Sequence, residues 1–337
     1  MDIDLRVLKA IESDRGIAFT ELVEIIEAAL LAAYYKSEGI HLKRDEQDFS
    51  RAELDRKTGQ VRIFTRDKDE AGEPVGDEKD VTPENFGRIA ASSAKQVITQ
   101  RLRAINDENL LGEFTGKVGD VVIGTIQQDS KPYLIKIDLG SLEAVLPPEE
   151  QVVGEDYGHG KRIRVIITKV DRARNGGTVV TVSRRHKMLV RKLFALEVPE
   201  VASNQIEIMQ VAREAGHRTK IAVRSNVEGL NAKGACIGPL GARVRAVSAE
   251  LNEEKIDIVD YDEDINKFVA SALSPAKISS TFTIPSKDPD GRPHVRALVP
   301  DYQLSLAIGK EGQNAKLAAD LTGAKIDIQP ESILDED

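Results

Sequence analysis

Apolar residues recur at helical spacing in two stretches of the first third of the chain. In the earlier stretch Thr20 can cap a helix, and in the later one Thr82 and Pro83 can begin another. The apolar face is Leu22, Val23, Ile26, Leu30 and Ala33 in the first helix, and Phe86, Ile89, Ala90, Ser93 and Val97 in the second. Two amphipathic helices are therefore predicted here.

Between these helices the pattern alternates, as it does in short β-strands. Residues 52–55 and 61–65 flank a Lys-Thr-Gly turn and predict a hairpin, whereas residues 67–80 have almost nothing to bury and predict an exposed loop. Residues 1–115 thus predict an α/β domain. They contain no paired-carboxylate, Ser/His/Asp or Cys/His constellation, so we interpret the domain as a docking module rather than a catalytic one.

Residues 116–185 contain one strand-like segment after another. Four segments rich in Val, Ile and Thr are separated by Gly or Pro turns, namely Val118 to Ile126, Tyr133 to Leu139, Arg162 to Val170, and Thr178 to Ser183. Four or five short strands within some 70 residues fit a small β-barrel of the OB type.

The remainder of the chain contains an internal repeat. Ala-Cys-Ile-Gly-Pro-Leu-Gly, beginning at Ala235, recurs as Leu-Ala-Ile-Gly-Lys-Glu-Gly, beginning at Leu306, and a helix-like stretch and Lys-Ile-Asp-Ile follow each copy. Two strand-like runs precede each copy, so residues 186–270 and 271–337 each predict strand, strand, short helix, Gly-x-x-Gly, helix and strand. Asp262 or Asp264 can cap a helix that joins the copies, and so short a junction predicts one rigid body.

Composition limits the class of protein. The chain has 47 Lys plus Arg against 56 Asp plus Glu, a net charge of −9, which does not fit a protein that coats nucleic acid over its whole surface. The one cysteine, Cys236, excludes an intramolecular disulfide and a cysteine-based zinc site. The acidic start does not fit a signal peptide, and the longest uncharged apolar stretch, Ala28 to Tyr35, is too short to span a membrane. We expect a cytoplasmic protein.

The charge is distributed unevenly. Residues 1–115 carry 17 basic and 24 acidic side chains, a net of −7, whereas residues 116–185 carry 11 and 9, a net of +2. Between residues 161 and 192 eleven Lys or Arg residues accompany a single acid, and between 213 and 245 seven accompany two. A charge run is usually a solvated surface, but two of them in strand-rich regions favour a polyanionic partner.

The strand-rich region resembles the S1-type OB domain of RNA-binding proteins. The resemblance rests on Gly119 to Ile126, on Ile137 to Gly140, on the basic strand Lys161 to Arg164 and on the closing stretch Thr181 to Arg185. In such domains basic side chains follow the nucleic-acid backbone and aromatic side chains stack on bases. The resemblance implies RNA contacts from Lys161, Arg162, Arg164, Arg184, Arg185 and His186.

The repeat resembles two tandem KH domains of the bacterial type, whose Gly-x-x-Gly loop clamps the nucleic-acid backbone. Two glycines allow a tight turn and a close approach of phosphate, and the following helix offers free N–H groups. The implied RNA contacts are Ile237, Gly238, Pro239, Leu240, Gly241, Arg243 and Arg245 in the first copy, and Ile308, Gly309, Lys310, Glu311, Gly312, Gln313, Asn314 and Lys316 in the second. Pro239 and Leu240 bring no charge to their loop, and Glu311 opposes phosphate.

In this order, an α/β domain, an S1-type OB barrel and two type II KH domains, the chain closely resembles the NusA family of bacterial transcription elongation factors. Three stretches are specific to the match, Leu193 to Glu200, Val211 to Arg218, and Leu304 to Asn314. Some members carry C-terminal acidic repeats that this sequence does not contain, so we do not expect activities attributed to those repeats.

The resemblance implies a mechanism without covalent chemistry. Residues 1–115 would dock on RNA polymerase near the RNA exit channel, and the OB and KH domains would hold emerging single-stranded RNA. The implied effects are on pausing, intrinsic termination and antitermination, the last with other Nus factors. We expect a monomer with no cofactor, no metal and no catalytic residue.

Two alternatives differ from this interpretation. An RNA-decay enzyme, either a nuclease or a phosphorolytic enzyme, can carry S1 and KH modules, but it needs catalytic domains for which residues 1–115 are too short and too poor in motifs. A translation-linked RNA-binding module would share the RNA contacts. Polymerase binding by residues 1–115 distinguishes the transcription factor from the translation-linked module.

Overall fold

The computed structural model describes residues 3–40, 49–69, 74–84, 86–127, 133–174, 176–285 and 291–332. The chain forms two compact bodies, which we call the N-terminal body, residues 1–109, and the C-terminal body, residues 110–337.

The N-terminal body combines helices with a three-stranded antiparallel sheet of order β1-β2-β3. Its elements are α1 (Leu5–Arg15), α2 (Phe19–Glu38), β1 (Arg51–Leu54), β2 (Val61–Lys68), β3 (Pro74–Asp80) and the long α3 (Phe86–Thr115), whose last turns belong to the C-terminal body. The core is formed by buried side chains from the three helices and from β1 and β2, including Leu8, Val23, Ile26, Leu30, Leu54, Ile63 and Phe86. The two predicted helices and the hairpin are confirmed, and α1 is an addition to the prediction.

Both predicted helix caps in this body are wrong. Helix α2 begins one residue before Thr20, and its first N–H group, that of Phe19, donates to Oε1 of Glu12 at 2.9 Å. The hydroxyl oxygen of Thr82 instead accepts from the N–H of Ile63 at 2.8 Å, and α3 begins at Phe86. In the first case the side chain of Glu12 takes the capping contact, and in the second the backbone of β2 engages the Thr82 hydroxyl.

Two other details of the N-terminal prediction also change. The buried face of α3 is Phe86, Ala90 and Ala94, while the predicted Ile89 is 41% exposed. The predicted loop at 67–80, of which residues 70–73 lie outside the described part, contains the strand β3. This strand is held at the sheet edge by backbone pairing and by ion pairs of Glu78 rather than by buried side chains, so hydrophobic pattern could not indicate it.

The C-terminal body begins with a closed five-stranded barrel of order β4-β5-β6-β8-β7. Its strands are β4 (Val121–Gln127), β5 (Ile135–Asp138), β6 (Glu143–Leu146), β7 (Arg162–Arg172) and β8 (Thr178–Ser183). The predicted barrel is confirmed. The short strand β6 was not among the four predicted segments, and β4 and β5 begin later than the segments predicted from Val118 and Tyr133. Inward-facing apolar residues fill the barrel, with Phe114 from the end of α3 in the same core.

Two repeats of the predicted order follow the barrel and a pair of helices, α4 (Lys187–Glu197) and α5 (Pro199–Ala202). The first repeat is β9 (Ile206–Glu214), β10 (Arg218–Ser225), α6 (Ala232–Ile237), α7 (Ala242–Glu250) and β11 (Lys255–Asp260). Helix α8 (Ile265–Ala272) leads to the second, which is β12 (Ser280–Ile284), β13 (His294–Val299), α9 (Leu304–Ile308), α10 (Gln313–Thr322) and β14 (Lys325–Pro330). In both sheets the first two strands are antiparallel and the third is parallel to the second.

The two repeats share one hydrophobic core. Ala212 and Ala222 of the first sheet lie in the same cluster as Leu317 and Leu321 of α10, together with residues of α8. Asp264 caps α8 by accepting from the N–H of Asn266 at 2.9 Å. Of the two predicted caps, Asp262 and Asp264, it is therefore Asp264 that the structure shows. The shared core confirms that the repeats pack as one body. Within the described part of the chain, no helix combines the length and the apolar character that a membrane span requires.

Candidate nucleic-acid interface

The first glycine of each Gly-x-x-Gly loop has a conformation and a surrounding that exclude a side chain. Gly238 has φ 73° and ψ 174°, and Gly309 has φ 79° and ψ 169°, a region that only glycine populates readily. A Cβ on Gly238 would lie 2.6 Å from Cγ of Arg243, and one on Gly309 would lie 2.8 Å from Cβ of Asn314. The backbone conformation and the close packing of the loops therefore require glycine at these two positions, independently of any approach by phosphate.

The second glycine of each loop, in the left-handed region, has a different surrounding in the two repeats. A Cβ on Gly312 would have no heavy atom within 4 Å, so this side of the second loop is open. At Gly241 the guanidinium of Arg245 would lie 3.0 Å from the Cβ and also donates to the carbonyl oxygen of Leu240. The second loop thus presents bare backbone, whereas the first is partly covered by its own arginine.

Helices α7 and α10 begin directly after the loops. The first N–H group of each helix, that of Ala242 or Gln313, donates to the carbonyl oxygen of Pro239 or Lys310. Among the described residues, no side chain caps either helix, so the next N–H groups of the first turn have no side-chain partner. Such groups, together with the positive end of the helix dipole, favour an anion at this position. Both loops consequently combine a tight turn with an anion-binding helix end.

Some side chains of the two loops are exposed to solvent, and others form hydrogen bonds within the protein. Lys310 and Lys316 are exposed and form no hydrogen bond or ion pair within the described residues. Gln313 donates through Nε2 to Glu214 of the first repeat at 2.9 Å. The remaining predicted contacts are exposed at Pro239, Leu240, Ile308 and Glu311 and half-buried at Ile237.

Asn314 was predicted as an RNA contact, and the structure contradicts this. Its side chain is 1% exposed, and Nδ2 donates to the carbonyl oxygens of Leu273 at 3.0 Å and Ala307 at 2.9 Å. Arg243 takes the equivalent place beneath the first loop, where Nη1 donates to Ala235 at 2.8 Å and to Glu200 at 3.0 Å. Both side chains support their loops from below.

Arg184 was also predicted to contact phosphate, and this too is wrong. The side chain is 2% exposed, and its guanidinium pairs with the carboxylate of Glu155 and donates to the carbonyl oxygens of Arg164 at 2.7 Å and Glu250 at 2.6 Å. Glu155 belongs to the barrel and Glu250 ends α7. Arg184 therefore joins the barrel to the first repeat and has no surface to offer to a ligand.

The other barrel cations are exposed or half-exposed, but most have partners. Arg164 pairs with Glu250, and Arg185 donates to the carbonyl oxygen of Glu149 at 3.1 Å. Lys161 bonds the carboxylate of Asp156 at 2.9 Å and thereby lowers the pKa of that carboxyl.

His186 and Arg162 complete the predicted set on the barrel side. Nδ1 of His186 caps α4 by accepting from the N–H of Met188 at 3.2 Å. Arg162 is exposed, and its side chain has no partner in the described part of the chain.

Two adjoining clefts lie where β7 meets the end of α7, and Arg162 borders both. One, of about 190 Å³, is lined on the barrel side by Lys161, Arg162 and the acids Glu155 and Asp156, and on the other side by Glu250 and Asn252. The second, of about 230 Å³, is lined by Ile123, Arg162 and Glu250. An unpaired guanidinium between two open clefts is the feature of this junction that best suits a polyanion.

Among the described residues, at least five of the eleven cations of the first basic run and at least five of the seven of the second form ion pairs. In the first run the paired cations are Lys161, Arg164, Lys169, Arg184 and Lys192, and in the second they are Arg213, Arg218, Lys220, Arg224 and Arg243. Within the part of the chain that the structure describes, Arg162, Lys310 and Lys316 are exposed cations with no ion pair or hydrogen bond from the side chain. Sequence counting alone overstates the positive surface.

The acids that complete this junction were missed in the sequence analysis. Glu254 is buried against Arg213 and accepts from Arg213 Nε at 2.9 Å and from the N–H of Gly216 at 2.9 Å. Burial raises the pKa of Glu254, but these bonds outweigh it and lower that pKa below its ordinary value. Glu155 and Glu250 are 29 and 66 residues from Arg184, and no local pattern marks such distant pairs.

The comparisons with known proteins agree with the order of domains. A family model described as the NusA N-terminal domain matches residues 5–71 and 66–108, one described as the NusA-like first KH domain matches 184–261, and one described as the NusA-like second KH domain matches 265–336. 

Three relatives carry the name transcription termination/antitermination protein NusA. The chain is 54% identical over 336 residues to that of Mycobacterium tuberculosis, covering 98% of this chain and 93% of the relative. It is 42% identical over 350 residues to that of Bacillus subtilis, with 97% and 91% covered. It is 35% identical over 350 residues to that of Thermus thermophilus, with 96% and 89% covered.

Replacing Arg184 is expected to lower stability far more than replacing Arg162. Arg184→Ala leaves the buried carboxylate of Glu155 uncompensated and should lower the free energy of unfolding by about 3–5 kcal/mol. Arg162→Ala removes an unpaired, exposed side chain and should change it by no more than about 0.5 kcal/mol. Urea unfolding of the full chain, followed by circular dichroism, measures both; similar losses would contradict the assignment of Arg184 to the interior.

The two glycines of the second loop should also differ. Gly309→Ala forces a Cβ into a glycine-only conformation and against Asn314, whereas Gly312→Ala places it in open space at a left-handed position that costs about 1–2 kcal/mol. We expect Gly309→Ala to lower the melting temperature clearly more than Gly312→Ala. Equal losses, or a larger loss for Gly312→Ala, would show that Gly309 is not the glycine that builds the loop.

Proposed function

The chain belongs to the NusA family of transcription termination/antitermination proteins, and from that premise we propose that it docks on RNA polymerase through residues 1–115 and holds nascent single-stranded RNA with its barrel and KH domains. In this role it modulates pausing, intrinsic termination and antitermination, the last together with other Nus factors. It acts in the cytoplasm as a monomer, without a cofactor, a metal or a catalytic residue.

One observation carries the RNA-binding part of this proposal, namely that the same loop backbone occurs twice. The last two loop residues have φ 49° and 75° in the first copy and 54° and 74° in the second, and each loop leads directly into an uncapped helix. A turn that brings helix N–H groups to the surface suits the phosphates of a flexible strand. Two such turns on one rigid body suit two positions along one strand.

The distribution of charge supports a division of labour between the two bodies. The prominent unpaired cations near the loops and clefts, Arg162, Lys310 and Lys316, belong to the C-terminal body, whereas residues 1–115 carry a net charge of −7. An acidic segment repels RNA and is better suited to a protein partner. Docking on polymerase would also raise the local concentration of transcript, so that modest RNA affinity suffices.

The proposal predicts RNA binding that depends on salt and on the second loop. With about four phosphates contacted, log affinity for single-stranded RNA should fall with log salt at a slope of about −3. Lys310→Asp combined with Glu311→Asp should weaken binding about tenfold or more, because a phosphate-facing cation becomes an anion. Fluorescence anisotropy with a labelled single-stranded RNA measures both quantities.

The matched control is Lys95→Asp, which makes the same change of charge at an exposed position of α3 in the N-terminal body. It should leave RNA affinity within about twofold. A slope near zero for the unaltered chain, or equal losses for the loop variant and the control, would contradict the proposal. If RNA binds but polymerase does not, the translation-linked alternative is favoured.

A further inference from the structure

One edge strand of the second KH domain differs in charge from the other sheet edges of the protein. Within the described part of the chain, three open sheets end in six edge strands. Five of these carry charged residues, namely Arg51 and Glu53 in β1, Asp77 to Asp80 in β3, Glu207, Arg213 and Glu214 in β9, Lys255, Asp257 and Asp260 in β11, and Lys325 and Asp327 in β14. The sixth, β12, reads Ser-Thr-Phe-Thr-Ile and carries none. Charges on an edge strand discourage pairing with a further strand, so β12 lacks this protection.

The equivalent edge of the first repeat is protected in a second way, by an irregular backbone. The pairing of β9 with β10 shifts register between Ala222 and Val223, where β9 has one extra residue. Arg191 of α4 donates through Nη2 to the carbonyl oxygen of that residue, Met209, at 2.7 Å. A bulge and a bound side chain both make an edge unsuitable for a further strand.

Strand β12 has neither feature among the described residues. Its five residues pair with β13 without a register shift, and it contains no proline. The preceding helix α8 bonds only to side chains of the strand. The hydroxyls of Thr281 and Thr283 donate to the carbonyl oxygen of Asn266 at 2.9 Å and to its Oδ1 at 3.2 Å. The backbone groups of β12 that point away from β13 therefore have no side-chain partner in the part of the chain that the structure describes.

An aromatic side chain lies beside this unprotected edge. Because Thr281 and Thr283 face α8, Phe282 between them faces the opposite side of the sheet. The equivalent position in the first sheet is Ala212, which is 4% exposed because it packs into the core that the two repeats share. Phe282 is 38% exposed. The last sheet thus combines free backbone groups with apolar surface.

We propose that β12 accepts an extended segment of a partner protein as an additional strand, with an apolar side chain of that segment beside Phe282. The backbone of the segment bonds the open edge, and its alternate side chains give selectivity. Since β12 offers no charge, the segment is uncharged where it pairs and places a β-branched or aromatic residue next to Phe282. The inference does not rest on the proposed RNA binding.

Two other occupants suit this edge less well. RNA requires a cation for its phosphates, and the cation opposite Phe282, Arg296, bonds Asp327 at 2.8 Å. A second copy of the chain would bring like charge, because residues 271–337 carry seven Lys or Arg against ten Asp or Glu, a net of −3. A neutral segment of another protein avoids both difficulties.

The test begins with a displayed library of short random peptides, selected against the full chain. An enriched peptide is synthesised with a fluorescent label, and its affinity is measured for the unaltered chain, for Phe282→Lys and for Leu196→Lys. The first variant gives β12 the charge that the other edges have. The second is the matched control, since Leu196 is 64% exposed on α4 and lies outside this sheet.

We expect Phe282→Lys to weaken peptide binding about tenfold or more, and Leu196→Lys to leave it within about twofold. Bound peptide should slow amide hydrogen exchange in residues 280–284. Two further peptides carry N-methyl groups on alternate residues, in the two possible sets. Only one set should abolish binding, because alternate N–H groups of an added strand face the edge.

Four outcomes overturn the inference. They are the absence of any enriched peptide, equal affinities for the two lysine variants, unchanged exchange in residues 280–284, and loss of binding with both methylated sets, which would indicate a helical peptide. Sedimentation distinguishes the remaining occupant. An unaltered chain that forms dimers, together with a monomeric Phe282→Lys, would assign the edge to a second copy and would also overturn the proposal.

Discussion

A buried guanidinium connects the barrel to the first KH domain, and the relative placement of the barrel and the repeats depends on it. Arg184 leaves the end of β8, pairs with Glu155 in the barrel and donates to the carbonyl oxygen of Glu250 at the end of α7. Separating the barrel from the first KH domain would leave the buried guanidinium of Arg184 without some of its partners, which is energetically costly. Nearby, Gly216 lies so close to Val152 that a Cβ would come within 2.5 Å of its Cγ1. The spacing between Arg162 and the first loop is therefore fixed.

The same constraint continues into the second KH domain by different means. A common hydrophobic core joins the sheet of the first repeat to α8 and α10, and the buried Lys220 bonds both Asp257, at 2.9 Å, and the carbonyl oxygen of Ser274 at the junction, at 2.6 Å. Burial lowers the pKa of the Lys220 ammonium group below its ordinary value, although the nearby carboxylate of Asp257 acts in the opposite direction. Because the barrel and the repeats are linked in this way, the two clefts beside Arg162 and the two loops belong to one packed body.

The sequence was informative where the chemistry is local. The repeat, the two Gly-x-x-Gly loops, the barrel and most strands followed from spacing and turn residues, because these depend on neighbours a few positions away. The sequence was misleading where pairing is tertiary. Arg184 and Asn314 have residue types typical of surface contacts, yet Glu155 and Glu250 draw the first inside and the carbonyl oxygens of Leu273 and Ala307 draw in the second. The strand β3 was missed for a related reason, since backbone pairing and ion pairs hold it.

In the proposed function, the chain acts by holding the transcript while it is bound to polymerase. The most direct measurement is the lifetime of a hairpin-stabilised pause with the cognate RNA polymerase, comparing the unaltered chain with the variant that carries Lys310→Asp and Glu311→Asp. We expect a longer pause with the unaltered chain and loss of most of that effect in the variant, while the variant still binds polymerase. A pause that the unaltered chain does not lengthen, or one that both proteins lengthen equally, would contradict it.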